Sequence, residues 1–291
     1  MKVDKFRTVI IYIIIILLGL VCLLPLLNIV AISFSSSAAV EGNMVGLIPV
    51  GFSTAADEKI LEDSQFWHSF LISVERVVLT LIINFVLIVL MAYPLSKTNA
   101  QFRGRNIYAN LMIFAMLFNG GMIPTFLLVK SYGLLNTVWA LVLPGAVPIF
   151  NVILVMNFFA AVPKELEEAA FIDGANPLQV LTKIFIPISK PVLATVSLFS
   201  IVGSWNDFYS GLIYMSKAAY YPLMTYIQSL QINVEDLIKQ GNLSAVVDSA
   251  SLGNTNLNAA KIVVAVIPLL LIYPLLQRYF VSGIVVGSVK G

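Results

Sequence analysis

Four residues close together in the chain, Trp205, Asn206, Asp207 and Tyr209, carry the side-chain types that recognise a sugar. An indole offers a flat apolar face to a pyranose ring, while an amide, a carboxylate and a phenol offer hydrogen bonds to hydroxyls. The same residues serve equally well as interhelical hydrogen bonds that hold a bundle together. Asn119, beside Gly120, Gly121 and Pro124, is a second candidate, because a helix broken there exposes backbone groups to a solute. A simple kink explains those residues too. Catalytic chemistry has no counterpart in the sequence. His68 has no second His or Cys near it, and neither a Ser/His/Asp arrangement nor paired intramembrane carboxylates can be found. No catalytic residue and no metal site is expected.

The elements that position these residues follow from composition. Of 291 residues, 59% are hydrophobic and 11% charged, against about 25% charged in a soluble domain. A helix needs roughly 20 apolar residues to cross the hydrocarbon. Six segments meet that length: about 8–32, 69–95, 107–130, 138–160, 190–214 and 261–281. The fold class expected is therefore all-α, a polytopic membrane protein with six transmembrane helices. The first apolar run is longer than the core of a signal peptide and is read as a retained span, bent at Pro25. Basic residues divide unevenly between the two sets of loops, eleven against five, and the richer set includes both termini. The positive-inside rule then places both termini in the cytoplasm. Residues 215–260 form an outer loop, read as a folded excursion rather than another span. Cys22, the single cysteine, excludes an intrachain disulfide.

The most informative segment is the inner loop 162–187. Pro163 suits a first helical turn, and Glu165, Glu167 and Glu168 sit where the helix dipole favours negative charge. Gly174 permits a helix-ending turn, Asn176 before Pro177 starts a second short helix, and Pro187 closes it. Small residues around the turn (Ala169, Ala170 and Ala175) let another protein approach the backbone closely. The segment reads equally as a docking surface or as an amphipathic loop lying on the membrane.

Glu168-Ala169-Ala170, Asp173-Gly174-Ala175 and Ile186-Pro187 resemble the coupling-loop signature of permease subunits in binding-protein-dependent ABC importers. Within that family the chain is similar to the carbohydrate-uptake, maltose-permease-like branch, and to the oligosaccharide-type permeases of Gram-positive bacteria. The similarity extends to Phe118 through Pro124, Gly133 through Thr137, Gly203 through Asp207, and the terminal Gly287 through Gly291. The resemblance implies a single transmembrane domain over 1–291 in the bacterial plasma membrane. It implies that Glu168, Ala169, Ala170, Asp173, Gly174 and Ala175 contact an ATPase. Trp205, Asn206, Asp207, Tyr209 and Asn119 remain, on their side-chain chemistry, the candidates for a substrate pathway. The partners implied are a second homologous permease, two copies of a cytoplasmic ATPase, an extracellular lipoprotein sugar-binding protein and an oligosaccharide substrate. With no Gly-x-x-x-x-Gly-Lys-Ser/Thr loop in this chain, ATP and Mg would be bound by the ATPase, and no cofactor by this subunit. An importer of a peptide or amino acid is the alternative within the same class. An intramembrane enzyme, the alternative from another class, lacks the side chains it would need.

Overall fold

A computed structural model describes residues 5–230 and 255–287, and among these every regular element is helical. Residues 231–254 of the expected outer loop and the tail from 288, with its Lys290, lie outside the described residues. The first helix, α1 (Lys5–Ser33), runs through Pro25 without interruption. Its apolar side chains are exposed on all sides, Leu18 by 61% and Ile11 by 55%. A helix apolar all round belongs against lipid or another protein rather than water.

Two short helices, α2 (Ser37–Glu41) and α3 (Ala55–Glu62), precede the long α4 (Ser64–Leu95). The next expected spans are each interrupted. α5 (Arg105–Leu117) and α6 (Met122–Ser131) meet at 111°, a turn far sharper than a kink. Gly121, at φ +91°, supplies the backbone freedom for it. α7 (Val138–Val142) continues as a 3₁₀ turn, Leu143–Gly145, and meets α8 (Ile149–Ala160) at 47°. Pro144 and Pro148 remove two backbone donors at that joint.

The loop expected on the inner side comprises α9 (Lys164–Ile172), α10 (Pro177–Val180), one π-helical stretch at Leu181–Phe185 and α11 (Ile186–Ile188). Pro187 does not close the second short helix as expected. It sits in the first turn of α11, where a missing N–H costs nothing, and the chain instead turns by 84° at Ser189 into α12 (Lys190–Asn206). α13 (Tyr209–Tyr214) follows after a break at Asp207, within what the sequence suggested was one span. The last helix, α14 (Thr255–Gly287), begins six residues before the expected 261. By length and apolarity three helices can each cross a membrane, and six spans result if each bent pair counts as one.

The chain divides into two compact units. The first takes its described residues from Met1–Trp67 and Tyr226–Pro268. Within it, Asn28 Nδ2 donates to the Gly46 carbonyl at 2.6 Å, and Ser36 caps α2 by accepting from the Ala39 N–H. Lys261, buried and only 4% exposed, forms a 2.7 Å ion pair with Asp63, and Tyr226 donates to the same carboxylate oxygen at 2.9 Å. The second unit is centred on His68–Thr225. Its core joins Ile88 and Ala92 of α4, Val155 and Phe159 of α8, Phe185 of the inner loop and Val196 of α12. In lipid such contacts hold helices by close packing rather than by escape from water.

Candidate functional site

Two constellations in the second unit have the residue types and geometry of working sites. The first is the inner loop. α9 ends where Gly174 takes φ +82°, and the Ala175 N–H returns to the Ala170 carbonyl at 2.9 Å. Asn176 and Gln179 then close a reciprocal cap: the Gln179 N–H donates to Asn176 Oδ1 and the Asn176 N–H to Gln179 Oε1, both at 2.9 Å. The cap and the glycine turn make this a shaped element rather than a tether. Glu168, Ala169, Asp173 and Gly174 are exposed, whereas Ala170 and Ala175 are half-buried against the core. Ile172 projects with 86% of its surface exposed, flanked by Phe171 and Leu178. An apolar tip on a rigid, polar-flanked element is a docking surface in form.

Besides its apolar contacts with the core, this element is tied to the rest of the unit by a charged contact that the sequence reading did not pick out. Glu167 is buried, unlike Glu165 and Glu168, and forms a 2.7 Å ion pair with Lys97, just past the end of α4. The Lys97 ammonium also sits over the rings of Tyr93 and Phe185, 4.1 and 4.2 Å from their centroids. Burial pushes the Lys97 pKa down, and Glu167 only partly offsets this. Lys97 thus ties the carboxyl end of α4 to α9 and to the π-helical stretch. Sequence spacing gave one clue: Glu165 and Glu168, three apart, share a helix face, and Glu167 points away from it.

The second constellation surrounds the break between α12 and α13. Asp207 leaves the helix with extended backbone, and its carboxylate accepts from the Ser210 N–H at 3.1 Å and the Ser210 hydroxyl at 2.5 Å. Arg76 of α4 pairs with that carboxylate and also donates to the Asp207 carbonyl at 2.9 Å. One guanidinium therefore satisfies both an acid and a carbonyl left open by the helix end. Arg76 is only 3% exposed, so its guanidinium is turned into the protein rather than toward the surface. The signal was present: a charge within an apolar span seeks another, and Asp207 is the acid of a later span. Close by, Thr225 donates to the Phe208 carbonyl at 2.8 Å and lies so near Gly211 that a Cβ there would fall 2.1 Å from its hydroxyl oxygen.

The structure separates the remaining expected pathway residues. Trp205 is buried at 4% exposure and packs edge-on against Phe70, centroids 5.7 Å apart. Asn206 is exposed. Tyr209, 54% exposed, reaches the Met122 sulfur at 3.0 Å, which brings it to the break between α5 and α6. Asn119 lies in that break, exposed, and accepts from the Gly121 N–H at 2.9 Å. Asn84, another polar residue within α4, donates to Ser200 of α12 at 3.2 Å. Among the described residues no group of His, Cys, Asp and Glu could hold a metal ion.

Residues 79–286 match the family described as "Binding-protein-dependent transport system inner membrane component". Protein LplC of Bacillus subtilis is 40% identical over 273 residues, covering 94% of this chain and 91% of its own. The polygalacturonan/rhamnogalacturonan transport system permease protein YtcP of the same organism is 39% identical over 288 residues, 99% of each chain. Among solved structures, a bacterial ABC transporter involved in the import of the acidic polysaccharide alginate aligns with a TM-score of 0.82 and 32% identity, over 96% of this chain and 98% of that one.

Proposed function

Because this chain belongs to the binding-protein-dependent transport system inner membrane components, a family of multi-pass membrane permeases, we propose that it passes a carbohydrate, an oligosaccharide, into a bacterial cytoplasm. The observation that carries this reading is the end-to-end likeness to YtcP, reinforced by the likeness to a subunit of the alginate importer. In this reading the chain pairs with a second, homologous permease and receives its solute from an extracellular lipoprotein sugar-binding protein. It lies in the plasma membrane with both termini in the cytoplasm. Two copies of a cytoplasmic ATPase bind ATP and Mg, and this subunit holds no cofactor.

The exposed Glu168, Ala169, Asp173 and Gly174, with the Ile172 tip, are the docking surface for that ATPase. Closure of the ATPase moves the inner loop, whose cap and glycine turn keep it from flexing, so the motion passes into α12 as a rigid displacement. Asp207, Asn206, Tyr209 and Asn119 flank the outer breaks and supply polar groups along the pathway. Trp205 contributes packing that fixes α12 rather than a face for the solute.

The test is copurification and sugar-stimulated ATP hydrolysis. The chain is co-expressed with its neighbouring genes, reconstituted in nanodiscs with the binding protein, and challenged with pectin-derived, alginate-derived and neutral oligosaccharides. One of these is expected to raise hydrolysis in the wild type. Gly174→Pro cannot adopt a positive φ, so it is expected to assemble without responding. A complex that forms with no ATPase, or that responds to peptides and to no sugar, rules the proposal out.

A further inference from the structure

A cavity of about 450 Å³ lies within the second unit, between the carboxyl end of α4, the helix α5 and the joint of α7 with α8. Leu90 and Leu95 of α4, Leu111 and Ala115 of α5, and Val147 at the joint belong to its walls. Among its described lining residues the Tyr108 hydroxyl is the one strong hydrogen-bonding side-chain group. A hydrated solute needs several polar partners, and a cavity with apolar walls stays dry. The volume nevertheless falls within the roughly 300–1,000 Å³ of small-molecule sites. From Tyr108 to Ala115 the wall follows α5 for about 10 Å at 1.5 Å per residue. An elongated apolar occupant suits such a space.

The rim has a different chemistry. The connection 96–106 carries Lys97, Arg103 and Arg105 and no acid. Lys97 is neutralised by Glu167. Arg105 donates from Nε to the Leu95 carbonyl and from Nη1 to Asn106 Oδ1, both at 3.0 Å, so its charge is fixed beside a lining residue. Arg103 is exposed and follows Phe102, another lining residue, whose ring stacks on Tyr108 with centroids 5.8 Å apart. Neither arginine has an acidic partner among the described residues. Aromatic rings and cations at the end of an apolar wall mark a membrane–water interface. The expected topology puts this end at the cytoplasmic face, whose anionic lipids attract such cations. An apolar protein segment covers the walls but brings no anion to two guanidinium groups. A phospholipid brings both, a chain for the walls and a phosphate that a guanidinium can take in bidentate fashion.

We infer that this cavity is a site for an anionic phospholipid of the cytoplasmic leaflet, with one acyl chain between α4, α5 and α8 and the phosphate held by Arg103 and Arg105. The site shares no lining residue with the break at Asp207 or with the turn of the inner loop, so it holds whatever the solute is.

The test is photolabelling of the assembled complex in phosphatidylcholine nanodiscs. The probe is phosphatidylglycerol with a diazirine on one acyl chain, the control is phosphatidylcholine with the same chain, and mass spectrometry locates the labelled residues. Leu111, Met112 and Ala115 are expected to take several-fold more label from the phosphatidylglycerol probe than from the control, and unlabelled phosphatidylglycerol to compete it away. Arg103→Gln, at an exposed position, is expected to remove most of that preference and Arg103→Lys to keep part of it. Ala115→Trp, which fills the cavity, is expected to block labelling of the walls by either lipid. Equal labelling by the two probes, or labelling of the walls no stronger than that of the exposed face of α1, means bulk lipid only and overturns the proposal. Walls that take no label from either probe mean that a protein segment covers the cavity in the complex, which overturns it too. A preference undiminished in both Arg103→Gln and Arg105→Gln overturns the placement of the phosphate. The readout needs no transport, so a complex that imports no sugar counts against the carbohydrate reading and leaves this result standing.

Discussion

At the scale of single residues, Arg76 and Asp207 show how a membrane protein accommodates charge. Each is costly alone in hydrocarbon, and the two pair with one another. Removing one partner by Arg76→Leu or Asp207→Leu is expected to cost about 3–5 kcal/mol, because a buried charge is left uncompensated. The double variant should cost much less than the sum, and thermal unfolding in detergent measures both. Gly211 tests packing rather than charge. Gly211→Ala places a methyl group where the Thr225 hydroxyl already lies, and overpacking of this kind costs about 1–3 kcal/mol. Its unfolding temperature is expected to drop, with partial recovery on adding Thr225→Ala. Asp63 predicts a pH effect. Burial alone would raise its pKa, but hydrogen bonds from Lys261, the Phe66 N–H and Tyr226, with the Lys261 charge, hold it below the usual carboxylate value of 3.8. A depressed pKa gives stability that is present above the unfolded value and lost as pH falls through the folded one. Acid unfolding of the wild type is therefore expected to steepen below about pH 4, and Asp63→Asn to remove that component.

At the scale of elements, the inner loop is held at two places rather than one. It runs directly into α12 through α11, and the Lys97–Glu167 pair fastens it to the end of α4. Displacement of α9 then reaches two spans together. Lys97→Met is expected to leave the ATPase bound but to reduce sugar imported per ATP hydrolysed several-fold, and the exchanged pair Lys97→Glu with Glu167→Lys to restore part of it. Transport and phosphate release measured on the same proteoliposomes give that ratio. The short helices and turn of this loop were legible in the sequence, because Gly174, Asn176 and Pro177 act within a few residues of themselves. The buried pair was not, because helical periodicity does not say which distant helix a charged face will meet. Pro187 misled for a related reason: a proline ends a helix from its interior but starts one from its first turn, and sequence alone left that position open.

At the scale of the whole molecule, apolar length alone located the long helices α1, α4 and α14, and the offsets at the starts of α4 and α14 are five and six residues. What length could not give was the interruption of the other spans. Gly120, Gly121 and Pro124 marked one of the places, but the difference between a kink and a 111° turn depends on tertiary partners. The expected topology has a direct check. Green fluorescent protein fused to either terminus should fluoresce, and alkaline phosphatase fused after Asp57 should be active, since residues 33–68 are expected to face outward. The Arg76–Asp207 pair also carries a consequence for biosynthesis. The two residues are separated by 131 positions, and chains are made at roughly 5–20 residues per second. Arg76 thus enters the membrane about 7–26 s before its counter-ion exists. During that interval the long apolar α4 must carry an unpaired cation, a burden of about 2.5–3.5 kcal/mol on the insertion scale. The length of α4, 32 residues of which Glu75 and Arg76 are the charged ones, is then a requirement of the order in which the chain is made as well as of the finished fold.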